Sequence, residues 1–273
     1  MTLVRGVVAC ALAVAASSAF GQVFGVELVQ NGGAEAGAAS PDGSQPVPAI
    51  PGWTFTGVNV VAYGTPGGMF PTAASPGPVA RGAQFFSGGN DNDFANASQS
   101  IDVSAGAGDI DDGLVTFSMS GWLGGTGTQN DVAQLAAVFN DGAGQSIGTT
   151  TLVGPFAFER GGVTGMQLRE ATGPLPPGTR AITLVVSMVR TEGVYNNGFA
   201  DNVSLTLTTT GVPCEPDFNQ DGNVDQDDLA CLAQVVAGDP SCSDADPDFN
   251  GDGNVDQDDI SSLAQVVAGA PCP

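Results

Sequence analysis

The 273-residue sequence contains no histidine and no lysine, and its six basic residues are all arginine. It has 29 acidic residues, which give a formal net charge of −23. A chain of this charge lacks the basic surface that nucleic-acid binding requires, and an anionic membrane surface would repel it. The absence of histidine also removes the side chain that most often acts as a general base or metal ligand near neutral pH.

Tryptophan and tyrosine occur only twice each, whereas glycine occurs 40 times and proline 18 times. Hydrophobic residues nevertheless make up 42% of the chain, which indicates a folded, turn-rich protein rather than a disordered one. The length suffices for one sizeable domain and one small one.

Long hydrophobic runs are rare, and the clearest one lies at the N-terminus. Residues 1–21 combine a positive charge at Arg5, an apolar run from Val7 to Ala16 and small residues before Gly21. This order is typical of a signal peptide, and the run is too short to span a membrane. We expect cleavage near Gly21 and a secreted or cell-surface protein. The rest of the sequence shows no transmembrane segment.

A stretch near the C-terminus occurs twice. DFNQDGNVDQDDLACLAQVVAG at 217–238 returns as DFNGDGNVDQDDISSLAQVVAG at 248–269, a period of 31 residues with 18 of 22 paired positions identical. Such a repeat indicates one structural unit made twice.

Each copy places oxygen-bearing side chains at the spacing of an EF-hand calcium loop, with a glycine at loop position 6. The predicted ligands at positions 1, 3, 5, 7, 9 and 12 are Asp217, Asn219, Asp221, Asn223, Asp225 and Asp228, and then Asp248, Asn250, Asp252, Asn254, Asp256 and Asp259. Position 12 is aspartate instead of the usual glutamate. An acidic linker that binds nothing would not repeat the glycine, and no Lys or Arg follows residue 214 to balance the acids.

One amphipathic helix follows each loop, and Pro216 and Pro247 exclude a helix before it. Two such loop-helix units resemble a type I dockerin, a small α-helical calcium-binding module, over residues 211–273. The resemblance implies two bound Ca²⁺ ions and a cohesin-like partner. It also implies that loop positions 10 and 11 contact this partner, namely Gln226, Asp227, Gln257 and Asp258. The alternative role of the two aspartates is to stabilise the helix N-termini.

Four of the five cysteines fall in the same region, at Cys214, Cys231, Cys242 and Cys272. An even number in a small exported module suggests two disulfides. Of the three possible pairings we favour Cys214–Cys272, which closes the ends of the module, together with the local pair Cys231–Cys242. Free thiols are the alternative, and the sequence has no CxxC motif for zinc.

Residues 22–210 have the pattern of an all-β domain with many short strands, which predicts a jelly-roll β-sandwich. Glycine, proline, asparagine and aspartate separate the candidate strands, and Gly124–Asn130 is expected to be a hairpin turn. The predicted strands are Val58–Tyr63, Ala83–Ser87, Leu114–Leu123, Gln134–Asn140, Gly148–Val153, Ala181–Arg190 and Asp201–Thr209.

The two ends of this domain, ELVQNGGAEAG at 27–37 and NNGFADNVSLTL at 196–207, resemble carbohydrate-binding modules of the galactose-binding-like group. The resemblance implies polysaccharide binding and a structural calcium held by Glu35 and Asp201. Sugar binding also needs an exposed aromatic ring. We expect Trp53 and Trp122 to be in the core, and Tyr195 to be the better exposed candidate.

Three functions remain open. The first is a non-catalytic protein in which a glycan- or surface-binding sandwich is docked through the calcium module, in polysaccharide binding or degradation. The second is a glycoside hydrolase, which needs two carboxylates across a cleft. The acids Glu27, Asp102, Asp131, Glu159, Glu170 and Glu192 are available but cannot be paired from sequence, and no catalytic motif is present. The third is a surface protein without a cohesin partner.

Overall fold

The computed structural model describes residues 23–67, 69–209, 215–243, 245–251 and 254–270. The expected signal peptide lies outside these residues, as do Cys214, Cys272 and Asp252.

Ten strands and three short helices make up the described elements. The strands are β1 (Thr54–Thr56), β2 (Asn59–Ala62), β3 (Gln84–Asn90), β4 (Phe94–Asp102), β5 (Val115–Gly125), β6 (Val132–Asn140), β7 (Ser146–Val153), β8 (Gly165–Pro174), β9 (Ala181–Val189) and β10 (Tyr195–Thr209). The helices are α1 (Ala107–Asp111), α2 (Gln226–Val236) and α3 (Gln257–Val267), and a 3₁₀ turn at Ser104–Gly106 precedes α1.

The strands form two antiparallel sheets of five, in the orders β1-β4-β9-β6-β7 and β2-β3-β10-β5-β8. We call them the first and second sheet. Only the β2–β3 and β6–β7 connections stay within one sheet, and the other seven cross between sheets. This alternating path confirms the predicted mainly-β sandwich.

The core lies between the sheets, and strands such as β4, β6 and β9 alternate buried and more exposed side chains. Phe86 and Leu205 of the second sheet meet Leu135 and Ile182 of the first in one apolar cluster. Trp53, expected in the core, is 7% exposed there and packs edge-on against Phe86.

A second apolar cluster covers part of the outer face of the second sheet. We call it the outer aromatic cluster, and it consists of Val61, Phe70, Phe85, Met166, Tyr195 and Phe199. Phe70 comes from the loop between β2 and β3, which therefore lies over this end of the sheet.

The seven predicted strands all occur, with ends shifted by a few residues, whereas β1, β4 and β8 were not predicted. Alanine, asparagine and serine fill β4, so its inward positions Ala95 and Ala97 carry little hydrophobic signal. β8 is an edge strand whose side chains are mostly partly exposed, which makes its sequence polar.

The hairpin predicted at Gly124–Asn130 is wrong. β5 lies in the second sheet and β6 in the first, so the segment between them crosses the sandwich instead of joining paired neighbours. Glycine-rich composition indicates a turn but not which strands the turn joins.

The C-terminal module is built from the two loop-helix units. Leu232 of α2 and Leu263 of α3 are fully buried in one apolar cluster. The cluster also contains Phe218 and Phe249 of the two loops. Among the described residues, no helix has the length and apolarity to cross a membrane.

Candidate calcium loops and ligand-binding face

The first loop is closed by its own side-chain oxygens. The carboxylate of Asp217 accepts the backbone N–H groups of Asp221 (3.0 Å) and Gly222 (2.9 Å), and Asn219 Oδ1 accepts the N–H of Asp221 (2.9 Å). Asp221 in turn accepts the N–H of Asn223 at 2.9 Å, which holds the pKa of Asp221 below its usual value. Gly222 has φ of 94°, a conformation that favours glycine. The oxygens at positions 1, 3 and 5 thus face the backbone of one tight turn.

Asp228, at loop position 12, joins the loop to the helix. Its side chain is completely buried, and its two oxygens accept the N–H groups of Asn219 (3.0 Å) and Asp225 (2.8 Å). Asp225 caps α2 by accepting the N–H of Asp227 (2.9 Å), so Asp225 and Asp228 form a reciprocal capping box. The aspartate at position 12 thus also serves as the N3 residue of the capping box.

The second loop repeats this arrangement where it is described. Asp259 is completely buried and accepts the N–H groups of Asn250 (3.1 Å) and Asp256 (2.8 Å). Asp256 caps α3 through the N–H of Asp258 at 2.9 Å. The residues that the two repeats share thus make the same local hydrogen bonds.

The donor set suits calcium. Carboxylate, amide and carbonyl oxygens are the ligands this hard cation prefers, and no arginine or lysine of the module competes for them. Among the described residues, no group of three or more acidic or cysteine side chains is arranged to hold a metal without other ligands. A cation would therefore also require the asparagine and backbone oxygens of the loops.

One disulfide holds the helix of the first repeat to the segment after it. Cys231 of α2 is joined to Cys242 with a Cα–Cα distance of 5.7 Å, the local pairing expected from sequence. The second expected pair, Cys214–Cys272, lies outside the described residues.

The residues expected to contact a docking partner are exposed. Gln226 and Asp227 begin α2, and Gln257 and Asp258 begin α3. The aspartates also lie in the first helical turn, where negative charge interacts favourably with the helix dipole. The geometry is compatible with both roles.

Glu35 and Asp201, the expected calcium ligands of the sandwich, lie close together. A Cβ atom placed on Gly33 would be 3.7 Å from Glu35 Cγ and 3.5 Å from Asp201 Oδ1. Asp201 is completely buried at a bulge of β10, where Asn202 has φ of 47°. The fold thus brings together the two acids that the sequence placed at opposite ends of the domain.

Protein donors already bind both carboxylates. Glu35 Oε1 accepts the N–H groups of Ala83 and Gln84, both at 2.9 Å, and Asp201 accepts the Tyr63 hydroxyl at 2.6 Å. The guanidinium of Arg81 lies 5.2 Å from the centre of the Tyr63 ring. Burial raises the pKa of Asp201 to about 7, although the hydrogen bond from Tyr63 lowers it. The positively charged Arg81 and several hydrogen-bond donors thus lie near these two acids. A third calcium ion at this position stays a prediction.

Beside the outer aromatic cluster, the second sheet presents a face rich in hydroxyl groups. Strand register sets Trp122 between Leu168 and Asp201, and sets Ser120 between Glu170 and Ser204. Trp122 is partly exposed at the end of these rows, not in the core as expected. We call this surface the hydroxyl face, and it comprises Ser118, Ser120, Trp122, Leu168, Glu170, Thr172, Ser204 and Thr206.

The expected exposure of Tyr195 is wrong. Its side chain is 7% exposed, and its hydroxyl donates to the Gly43 carbonyl at 2.8 Å and contacts Ser87 Oγ at 3.1 Å. The surrounding asparagines and glycine suggested a loop, but Tyr195 begins β10 and its ring packs against Phe70.

Most acids considered for catalysis fix backbone groups instead. Asp131 is completely buried and accepts four hydrogen bonds, from the N–H groups of Thr191, Glu192 and Asn197 and from the Thr191 hydroxyl. Hydrogen bonds are likewise accepted by Glu27, Asp102, Glu159 and Glu192.

Two sets of residues were missed from sequence. Phe218 and Phe249 occupy loop position 2 in both repeats, and that repetition was the available signal for a core role. Tyr63 and Arg81 contribute to the Asp201 environment only through the fold, and no local pattern marks them.

One family of known proteins matches the C-terminal part of the chain. Residues 215–268 match the family model of the Dockerin type I domain, and such domains bind calcium. A search of curated proteins finds no match.

Several solved structures resemble the sandwich. Tailspike protein 4 of bacteriophage CBA120, in its enzymatically active domain, has a TM-score of 0.42 and 19% identity over 66% of this chain. The match spans only 21% of the tailspike chain. A family 16 carbohydrate-binding module has a TM-score of 0.40 and 15% identity, and TmCBM61, solved with β-1,4-galactotriose, has 0.38 and 16%. These two matches cover 66% and 67% of this chain and 99% of each module. Residues 215–268 therefore match the type I dockerin family, and they follow the two-sheet β-sandwich described above.

Proposed function

We propose that the chain is an exported, non-catalytic, calcium-binding protein in which the dockerin region docks a polysaccharide-binding sandwich to a cohesin-like partner. The observation that carries the proposal is the family match over residues 215–268, because docking is what a dockerin region supplies to the domain before it. The expected signal peptide supports export.

The dockerin region binds two Ca²⁺ ions, one in each repeat. The first is held by side chains of Asp217, Asn219, Asp221, Asp225 and Asp228 with the carbonyl of Asn223, and the second by the corresponding residues from Asp248 to Asp259. Support comes from the buried, doubly hydrogen-bonded aspartates at both loop ends, whose charges have no basic residue of the module to balance them. Metal binding and folding of the module are therefore coupled.

Docking uses the two helix starts. Gln226 and Asp227 recur as Gln257 and Asp258, all exposed, so the module offers the same contact twice. A partner could then bind in either of two orientations related by a half-turn. Because the surface is acidic, the complementary surface of the partner carries basic residues.

The sandwich binds polysaccharide across the hydroxyl face. Trp122 supplies a partly exposed ring for stacking, and the neighbouring rows supply hydroxyl groups that exchange hydrogen bonds with sugar hydroxyls. Catalysis is not part of the proposal, since Asp131 and four of the other acids hold backbone or neighbouring side chains.

Calcium counting tests the docking half of the proposal. The mature chain should bind two ions by titration calorimetry in the module, and Asp217→Ala or Asp248→Ala should each remove one. Two ions retained by the double variant, measured by native mass spectrometry, would reject the two loops as the sites.

Affinity electrophoresis in gels that contain xylan, β-glucan or galactan tests the sandwich half. Retardation should be lost in Trp122→Ala and reduced in Ser118→Glu, which adds charge at an exposed position without touching the core. Phe94→Ala is the matched control, because Phe94 is 55% exposed on the first sheet. Equal retardation of all three variants and the parent would reject the hydroxyl face, and released reducing sugars would reject the non-catalytic assignment.

A further inference from the structure

The sequence contains three asparagines that are followed directly by glycine, namely Asn31, Asn197 and Asn250. In such a pair the backbone nitrogen of the glycine can attack the side-chain amide of the asparagine. Glycine favours this reaction because it has no Cβ to hinder the approach and reaches backbone conformations that other residues avoid. The structure differs in how firmly it holds each of the three pairs.

Asn31 is held at both ends of its side-chain amide. Its Oδ1 accepts the N–H of Ala36 (2.8 Å), and its Nδ2 donates to the Pro51 carbonyl (2.9 Å). A Cβ atom on Gly32 would lie 2.0 Å from the Val203 carbonyl oxygen, so the backbone at this pair is closely packed as well. These contacts keep the Asn31 amide from turning toward the nitrogen that follows it.

Asn197 is held just as firmly at the start of β10. Its side chain is 3% exposed, and its Nδ2 donates to Gln129 Oε1 at 2.7 Å. The N–H of Gly198, the nitrogen that would attack, donates to Asn196 Oδ1 at 3.2 Å. Both pairs of the sandwich are therefore protected as long as the sandwich is folded.

The third pair, Asn250 and Gly251, occupies positions 3 and 4 of the second calcium loop and is only partly buried. The N–H of Asn250 donates to Asp259 (3.1 Å), and the N–H of Gly251 donates to the Asp248 carbonyl (3.4 Å). Both bonds are internal to the loop, so they last only while the loop is closed. Because the acids of the loop repel one another without a cation, loss of calcium releases this pair.

The first repeat supplies a matched comparison. Its position 4 is Gln220, with φ of 60° against 71° at Gly251, and the Gln220 N–H donates to the Asp217 carbonyl at 3.2 Å. The two loops thus share this left-handed conformation and this hydrogen bond, and they differ in the side chain at position 4. A disulfide also ties α2 to the segment after it, whereas Ser262 takes the place of Cys231 in the second repeat.

We propose that Asn250 is a site of spontaneous deamidation, which opens when the second loop loses its calcium ion. The Gly251 nitrogen bonds to Asn250 Cγ and loses its proton, the side-chain nitrogen leaves as ammonia, and a succinimide ring remains. Water then opens the ring. Cleavage of the bond to Cγ gives aspartate, and cleavage of the bond to the backbone carbonyl carbon gives isoaspartate.

The isoaspartate product disables the second loop. Its main chain runs through Cβ and Cγ, which inserts one methylene between Asp248 and the ligands that follow position 3. The spacing that an EF-hand loop requires is then lost. A chain left without calcium therefore loses its second site permanently and keeps its first. This dependence on calcium rests on the proposed function, whereas the modification itself does not.

The test incubates the mature chain in mildly alkaline buffer, with saturating calcium or with EDTA, and measures deamidation at each asparagine by peptide mass mapping. In EDTA, Asn250 should deamidate at least tenfold faster than Asn219, and calcium should slow the reaction of Asn250 at least tenfold. Asn31 and Asn197 are internal controls and should stay unmodified in both buffers. After calcium is restored, the fraction of chains with one ion, counted by native mass spectrometry, should rise with the isoaspartate content.

A reciprocal pair of variants isolates the effect of position 4. Gly251→Gln gives the second loop the sequence of the first, and should lower the rate at Asn250 in EDTA to that of Asn219. Gln220→Gly does the reverse, and should raise the rate at Asn219 at least tenfold. Each substitution introduces a residue that the same backbone position already holds in the other repeat.

Equal rates at Asn250 and Asn219 in EDTA, or a rate at Asn250 that Gly251→Gln leaves unchanged, would overturn the proposal. So would equal rates at Asn250 in calcium and in EDTA when native mass spectrometry counts two bound ions in the calcium buffer. Absence of bound ions in that buffer would instead reject the proposed calcium loops, and the variants in EDTA would still decide the modification.

Discussion

In the sandwich, the buried Asp131 accepts four hydrogen bonds from Thr191, Glu192 and Asn197, and exposed acids pair with arginine, as Glu159 does with Arg169 at 2.8 Å. In the C-terminal module, the equally buried Asp228 and Asp259 accept only two backbone N–H groups each, and no basic residue lies in that part of the sequence. Protein donors thus satisfy the buried aspartate of the sandwich more fully than they satisfy the two buried aspartates of the module. The difference teaches that an acidic cluster indicates a cation site when protein donors do not balance its charge.

The largest expected effect is a selective loss of the module on calcium removal. With EDTA and reduced disulfides, the helical circular dichroism signal should disappear because the acids of each loop then repel one another. The sandwich should stay folded. The two regions can be followed separately because both tryptophans, Trp53 and Trp122, lie in the sandwich. Cooperative loss of tryptophan fluorescence together with the helix signal would contradict the comparison.

The reverse experiment disrupts the sandwich alone. Phe86 is completely buried in the core against Trp53, so Phe86→Ala should cost about 3–5 kcal/mol in the free energy of unfolding, measured by fluorescence in urea. Calcium stoichiometry of the module should not change. The exposed Phe94 is the control, because Phe94→Ala should change stability by only about 0.5 kcal/mol.

The module was the easier region to predict from sequence. Its two helices depend on residues close to one another in sequence, so the repeat at 217–238 and 248–269 was sufficient to predict them. The local disulfide Cys231–Cys242 follows from the same short range, since its partners are eleven residues apart.

The sandwich was predicted in class but less well in detail. Hydrophobic alternation identified strands such as β9, whereas β4 and β8 lack it because small or polar residues suffice at their positions. The exposure of Trp122 and the burial of Tyr195 depend on a loop folded over one end of the second sheet. The burial of Asn197 likewise involves hydrogen bonds with Asp131 and Gln129, which lie 66 and 68 positions away and which no local pattern links to it.

A smaller effect tests whether protein groups alone, without a metal ion, stabilise Asp201 in the sandwich. Its folded pKa of about 7 exceeds the ordinary 3.8, so the folded state retains a proton that the unfolded state releases. Stability in EDTA should therefore fall as pH rises from about 4 to about 7, by about 1–3 kcal/mol, and then level off. Thermal unfolding followed by tryptophan fluorescence measures it, and Asp201→Asn should flatten the slope. Calcium should reverse the trend if Glu35 and Asp201 hold an ion, and leave it unchanged if Tyr63 and Arg81 suffice.

The smallest effect concerns two adjacent aspartates of α2. Asp228→Ala removes a buried carboxylate that completes the capping box and is a proposed calcium ligand, so one bound ion should be lost. The missing cap alone should cost about 0.5–2 kcal/mol of module stability. Asp227→Ala is the matched control: its exposed side chain gives only the helix-dipole contribution of about 0.3–1 kcal/mol, and both ions should remain. Native mass spectrometry counts the ions and circular dichroism follows the helices. If the two variants retained equal numbers of ions, Asp228 would be a capping residue only. Backbone N–H donors would then stabilise the Asp228 carboxylate, as they stabilise Asp131 in the sandwich.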